Sequence, residues 1–355
     1  MNDHLPRRAF LGRAAALGGG LAFAGGAAGL LGACSSDSDG SSSSGSGSTS
    51  KMAYQLGWLK DVQFAGDYMA DSKGYWTKQG LDVSLLTGGP GVDSLPIVSV
   101  DKALTTIAQP DGVARANAKG GSFKIVAAKY QTAPYAITSL ADKPIEGPKD
   151  MVGRKIGVSA NNTATFAVLL KLNDIDPSSV TVVPVQFDPA PLVAGLVDGL
   201  LTFVTDEPIN LAAQGVETKS FLFYDHGYKM IAGCHVVTEK TLADGDARER
   251  LTKFLRGDIQ GWQAAIDDVQ AATDLSVDEY SKTMALDPKR ALGTLEATNE
   301  LITARGAGTE RGIYTLDDEG IAGSIAAGKA SGVSMPSDLF VPDLLDGLFG
   351  SKMAL

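Results

Sequence analysis

The sequence predicts an α/β protein of two successive lobes with a cleft between them. Three observations carry this. Short apolar runs alternate with helix-period segments from residue 54 to 130, the rhythm of parallel strands covered by helices on both faces. The same rhythm restarts at Lys155, runs to Tyr224 and gives way to a helical tail. A length of 355 residues at 44% apolar content suits two lobes of ordinary size.

In the first unit, 54–58 reads as a strand, 64–73 as a helix closed by Gly74, and 81–86 as a strand. The tight loop Gly88-Gly89-Pro90-Gly91 leads to a helix at 94–99 and a short strand at 103–107. A helix at 112–119, stopped by Gly120-Gly121, and a strand at 124–130 complete it. The second unit opens with a strand at 155–158 and a helix at 164–173, headed by side-chain oxygens that can accept the free N–H groups of a first turn. A strand follows at 180–186, then a helix from Asp188-Pro189 to 197, with Pro just inside its N-terminus. Strands at 200–205 and 219–224 flank a helix opened by Glu207-Pro208 and running to 213. The clearest helix of the tail is 246–267. It places Glu249, Lys253 and Arg256 toward solvent and Leu251, Phe254, Leu255 and Trp262 inward.

The N-terminus has a different character. Arg7-Arg8-Ala9-Phe10-Leu11 precedes an Ala/Gly/Leu run over 14–33, the pattern of a twin-arginine export signal spanning 1–33. It ends in Leu31-Gly32-Ala33-Cys34, which resembles a bacterial lipobox, with Cys34 as the lipidated residue. Residues 35–50 are nearly all Ser, Gly and Asp, a flexible linker with a span of roughly 20 Å. The expected location is the outer face of the cytoplasmic membrane or the periplasm, with a membrane anchor through Cys34.

Composition excludes several classes. A formal net charge of −10 disfavours a nucleic-acid partner, which needs clustered Lys and Arg. Two Cys cannot build a disulfide scaffold or an iron–sulfur site, and Cys234 in the run Met230–Cys234 reads as a small core residue. Cys234 and His235 are adjacent on a strand, so their side chains diverge and make a poor dyad. The segment Gly332-Val333-Ser334-Met335-Pro336 fails the nucleophile-elbow pattern, and outside the signal only His226 and His235 remain. No catalytic residue, metal or cofactor is assigned.

Ligands of open parallel sheets gather at the carboxyl ends of the strands. The loops to examine are 58–64, 87–93, 108–112, 159–163 and 205–208. Trp58 is expected to end the first strand and offer an aromatic wall to a flat ligand, against core packing as the alternative. Asp61 and Gln63 can read ring nitrogens or amino groups. Phe64 and Tyr130 are weaker aromatic candidates, and Tyr68 reads as helix packing. Gly88 and Gly89 suit a sharp turn or a close approach, and Asp93 is either a site residue or the following helix's N-cap. Gln109 and Asp111 follow the third strand, Asp111 as an acceptor or as a cap at Gly112. Asn161, Asn162 and Thr163 exceed what one cap needs. Asp206 and Glu207 face the same edge. These loops hold several carboxylates, no Arg, and Lys60 as their only cation, which points to a nitrogen heterocycle with amino donors.

The segments Phe64-Ala65-Gly66-Asp67-Tyr68-Met69-Ala70, Gly74-Tyr75-Trp76, Gly80-Leu81-Asp82-Val83 and Gly88-Gly89-Pro90-Gly91-Val92-Asp93 carry a family resemblance. So does Gly195-Leu196-Val197-Asp198-Gly199, running on to Thr205-Asp206-Glu207-Pro208. They resemble periplasmic substrate-binding proteins of the branch named for the yeast thiamine-pyrimidine synthases, related to sulfonate, taurine and nitrate binders. The resemblance covers about 54–270. It implies a two-lobed periplasmic-binding-protein type II fold with a hinge. Lobe I would comprise 51–138 plus 228–355, and lobe II 139–227, with crossings near 135–140 and 228–236. It also implies a monomer that delivers a small molecule to an ABC permease, and it favours Glu207 as a residue bordering the ligand. The synthases carry a cysteine-rich motif that is missing here, which leaves the binder, with a pyrimidine precursor of thiamine or a similar flat heterocycle as the expected ligand.

Overall fold

A computed structural model describes residues 49–186 and 188–349. Residues 1–48, with the expected export signal, the expected lipidation at Cys34 and most of the expected linker, lie outside the described residues.

Among the described residues ten strands form two five-stranded sheets: β1 (Ser50–Gln55), β2 (Leu81–Leu86), β3 (Thr105–Ala108), β4 (Phe123–Tyr130), β5 (Tyr135–Leu140), β6 (Lys155–Ser159), β7 (Thr181–Val185), β8 (Gly199–Phe203), β9 (Thr218–Leu222) and β10 (Ala232–Thr238). The first sheet has the order β2-β1-β3-β10-β4, the second β7-β6-β8-β5-β9. The rhythm alone predicts parallel sheets, but neither sheet is purely parallel. The chain crosses between sheets twice, and the strands next to the crossings enter from the opposite direction. Thus β10 runs antiparallel to β3 and β4, and β5 runs antiparallel to β8 and β9. Because β5 begins at Tyr135, the first crossing falls between Tyr130 and Tyr135, and a boundary drawn at 138 would cut through this strand.

Two elements depart from expectation. The first strand begins earlier than 54–58 and stops at Gln55, because Ser50–Gln55 pairs residue for residue with Leu81–Leu86 and draws the last linker residues into the ladder. Trp58 therefore lies in the loop beyond the strand. The helix expected over 188–197 shrinks to Ala190–Val193, after which Gly195 turns the chain with a positive φ of 68°.

The core of the first sheet is closed by the helices Ala65–Ser72 and Gly245–Asp267. They meet where neither has a side chain. A Cβ on Gly261 would fall 2.2 Å from the Gly66 carbonyl oxygen, and one on Gly66 would fall 2.1 Å from the Trp262 ring. Trp262 and Trp76 are fully buried at this contact, and Trp76 Nε1 donates to the Phe254 carbonyl at 3.1 Å. The long helix starts at Asp244, whose carboxylate accepts from the Ala247 N–H at 2.8 Å. Its exposed face carries the expected Glu249–Lys253 pair at 2.7 Å. The helix Pro288–Thr303 reaches over to the second lobe, where a Cβ on Gly293 would fall 2.9 Å from Ile209. Among the described residues no helix is long and apolar enough to cross a membrane.

Candidate functional site

The loop after β1 is built on Asp61. Its Oδ1 accepts from the Gln63 N–H and its Oδ2 from Gln63 Nε2, both at 3.0 Å, so carboxylate and amide are locked as one unit. Tyr68 Oη donates to the Asp61 carbonyl at 3.0 Å. Trp58, on the same loop, is 43% exposed and presents its ring to solvent. The glycine loop packs on it from behind. The Gly88 N–H donates to the Trp58 carbonyl at 2.9 Å, and a Cβ on Gly88 would fall 2.5 Å from the Leu56 carbonyl oxygen. Gly88 thus serves a close approach of two backbone segments, and Gly89 turns with φ +143°.

Other sequence candidates sit differently. Phe64 and Tyr130 are buried and present no ring to the cleft. They pack beside Lys129, whose Nζ lies 5.0 and 5.1 Å from their ring centres. Asp93 is exposed and caps the helix Ser94–Ser99, accepting from the Leu95 N–H at 3.3 Å. Gln109 accepts from the Gly233 N–H at 3.4 Å, a tie to the returning strand β10. Asp111 does not cap. It lies in the first turn of Pro110–Ala118 and pairs with Arg115.

In the second lobe Asn162 is buried while Asn161 and Thr163 are exposed. None caps a helix through its side chain, and Thr163 Oγ1 donates back to the Ala160 carbonyl at 3.2 Å. Tyr135 and Tyr228 are in edge contact with ring centres 5.8 Å apart, and the Tyr228 hydroxyl donates to Met230 Sδ at 3.4 Å. Burial, then Asp111, pushes the Tyr135 hydroxyl up to about 12. Tyr135 also packs on Phe203 at 5.3 Å, and the Phe203 N–H donates to Glu207 Oε2 at 2.8 Å.

Glu207 is 6% exposed, and burial followed by the neighbouring Asp206 raises its carboxyl to about 7. Burial raises Asp61 to about 6 against the pull of its Gln63 hydrogen bonds and Lys129, and Asp206 pushes it further up. Asp206 therefore has electrostatic reach to carboxyls of both lobes, Asp61 and Glu207. Asp206 itself pairs with Arg290 of the helix Pro288–Thr303 at 2.5 Å, across the lobes.

The charge balance corrects the sequence expectation. The loops alone are acidic with Lys60 as their cation, but Arg115, one turn along the helix from Asp111, and Arg290 and Lys129, from distant elements, bring positive charge to these carboxylates. Lys60 instead lines a flanking cavity of about 550 Å³ with Leu59, Tyr280 and Met284. Lys129, Arg290, Tyr135 and Tyr228 were missed because they sit outside the strand-end loops. Lys129 left one signal: it shares a strand face with Ile125 and Ala127, where a lone cation asks for buried partners. Among the described residues no group of three or more His, Cys, Asp or Glu is arranged to hold a metal ion.

Known proteins with this architecture are instructive. A riboflavin-binding protein, RibY, from Chloroflexus aurantiacus is 25% identical over 279 residues, covering 74% of this chain and 78% of its own. A solved structure assigned as the periplasmic sulfonate-binding protein SsuA of a sulfonate ABC transporter from Methylobacillus flagellatus superposes with a TM-score of 0.61. Its identity is 15%, over 86% of this chain and 95% of that one. The desulfurization enzyme DSZB shares the fold too, with a TM-score of 0.54 and 13% identity over 84% and 99% of the two chains. The scaffold is the two-lobed periplasmic-binding fold with an interlobe cleft, and by itself it does not separate binders from enzymes. The model of the NMT1/THI5-like family matches residues 61–272, and the chain belongs to that family.

Proposed function

We propose that this protein is an extracytoplasmic substrate-binding lipoprotein of an ABC importer that captures a small, uncharged heteroaromatic molecule. A pyrimidine precursor of thiamine is the first candidate and a flavin the alternative. The observation that carries the reading is the pairing of an exposed aromatic ring, Trp58, with the rigid Asp61–Gln63 unit on one loop. A flat ring gains affinity by desolvation on the indole, and the adjacent acceptor and amide fix its orientation. The facing carboxyls already have Arg or Lys neighbours, so a strongly charged ligand would have to displace an existing pair. The twin-arginine signal and Cys34 supply export and anchoring. The two lobes, one built on each sheet and joined by the crossings after β4 and before β10, close on the ligand, a population shift driven by its differential affinity for the closed form.

The test is a thermal-shift screen with aminopyrimidines, flavins, alkanesulfonates and nitrate, with the ligand recovered afterwards. A shift of several degrees with a heterocycle recovered unchanged supports the reading. A shift with sulfonate or nitrate alone, or recovery of a product, overturns it. Trp58→Ala should weaken heterocycle binding on the order of 30-fold, as loss of an aromatic anchor does. Its stability should stay within about 0.5 kcal/mol of the parent, because the side chain is largely exposed.

A further inference from the structure

Behind the cleft loop lies a buried polar cluster with no counterpart in a plain apolar core. Lys129 on β4 is 2% exposed, and Asp67, Asp258 and His235 are 1% exposed or less. Asp67 comes from the helix Ala65–Ser72, Asp258 from the helix Gly245–Asp267, and His235 from β10 at a shift in its register with β4. The hydroxyls of Tyr54 and Tyr314 face the same group. His235 Nε2 lies 3.2 Å from Asp258 Oδ2 without the alignment of a hydrogen bond. The Asp67 and Asp258 carboxyls can hydrogen-bond each other only when one carries a proton. Both carboxyls lie within electrostatic reach of the Lys129 ammonium without forming an ion pair with it.

The ammonium points the other way. Lys129 Nζ donates to the Gln63 carbonyl at 2.9 Å and sits 4.6 Å from the Trp262 ring centre and 5.0 Å from that of Phe64. Gln63 is the residue locked to Asp61. A buried ammonium costs several kcal/mol unless it is compensated; here the Gln63 carbonyl and the ring faces contact it and the carboxyls act at longer range.

We propose that Lys129 is a positioning residue for the ligand cleft. Its ammonium anchors the Gln63 carbonyl, and with it the loop that carries Trp58, Asp61 and Gln63, while Asp67 and Asp258 offset the buried charge across the core. The inference rests on the reading that this loop borders the ligand, but it is tested without any ligand. Helix Ala65–Ser72 starts directly after the loop, so Asp67 and the loop are continuous in the chain, while Asp258 comes from the helix packed against it.

The experiment is amide hydrogen–deuterium exchange of the ligand-free protein, corrected for intrinsic rates, in the parent, Lys129→Met and Asp258→Asn. Lys129→Met is expected to lower protection over residues 60–64 at least tenfold while strand β4 and helix Gly245–Asp267 keep theirs. Asp258→Asn, isosteric with the protonated carboxyl, should loosen the same segment several-fold and keeps the question answerable if Lys129→Met does not fold. Unchanged protection over 60–64 overturns the proposal, and so does a uniform loss across the sheet, which would make Lys129 a core residue only. Riboflavin affinity measured on the same variants is a separate readout. A protein that binds no heterocycle fails the functional reading and leaves this one standing on its exchange data.

Discussion

Two sets of buried carboxyls invite comparison. Asp67 and Asp258 lie in the core of the first lobe, and Asp61 and Glu207 lie at the cleft. In all four, burial is the main cause that raises the pKa. Their neighbours differ. The cleft acids accept from fixed donors, the Gln63 amide groups and the Phe203 N–H, and feel Asp206 beside them. The core acids have each other, Lys129 and His235, with no fixed backbone donor. Fixed donors aim a carboxylate and keep it ready for a partner. A pair without them must share protons, and such a pair titrates as a unit. Burial is thus common to both sets, and the donor decides whether an acid faces a ligand or steadies what stands behind it.

The largest expected effect breaks the core set outright. Asp67 and Asp258 meet because their helices touch at Gly66 and Gly261. Gly261→Ala places a methyl 2.2 Å from the Gly66 carbonyl oxygen, where neither backbone can yield locally. The helices must separate, and the expected loss is about 3 kcal/mol, at the upper end of overpacking costs. Urea unfolding measures it. A midpoint unchanged from the parent would mean that the helices part freely and that the acid pair is not held by them.

A smaller effect separates the sets by pH. The folded values of Asp67 and Asp258 are about 8 and about 7, far above the ordinary carboxylate value in the unfolded chain. For raised acids the folded state holds the proton, so their contribution to stability is full below about pH 4 and is lost as pH rises through 7 to 8. His235, lowered to about 3 by burial, has the opposite sign and loses its contribution as pH falls below about 6.5. Between pH 6.5 and 8 only the acids act, and stability should fall by roughly 1.4 kcal/mol per pH unit for each proton released. Glu207 ends its share near 7, so above pH 7 the slope belongs mostly to the core. Asp67→Asn should flatten the curve between pH 7 and 8. Parallel curves for parent and variant would show that the core pair does not titrate there.

How much of this was legible follows from where the signals lie in the chain. Strands of the first lobe were readable because apolar runs such as 123–130 are local. The start of β1 was not, because only pairing with β2 turns a polar segment into a strand. Cleft candidates on strand-end loops were equally local, and Asp206 acts electrostatically on both Asp61 and Glu207. Their counter-charges were invisible because Arg290 and Lys129 lie on a helix and a strand read for their own periodicity. Phe64 and Tyr130 misled because an aromatic beside a loop reads the same whether its ring turns inward or outward. Asp258 did leave a trace. It falls three and four residues after Leu255 and Phe254 and four before Trp262, on the apolar stripe of its own helix. A carboxyl at that spacing announces a buried partner without naming it, since Asp67 and His235 come from distant segments.

The smallest expected effect sharpens the comparison at its cleft end. The Arg290–Asp206 pair joins the lobes, but both side chains are roughly half exposed, so solvent screens it and its loss should cost less than about 1 kcal/mol. Arg290→Met should therefore leave the unfolding midpoint nearly unchanged. Its effect should appear in titration instead. Arg290 is among the influences that lower Glu207, while burial and Asp206 raise it. Without the guanidinium, Glu207 should titrate above its present value of about 7, and Asp67 and Asp258, which do not have Arg290 as a neighbour, should not move. Carbon-detected NMR of the carboxyl groups follows both sets in one sample. A shift confined to Glu207 shows that cleft and core acids are electrically separate. A common shift of all three would mean that one network spans both, and the distinction between aimed and shared carboxyls would fall.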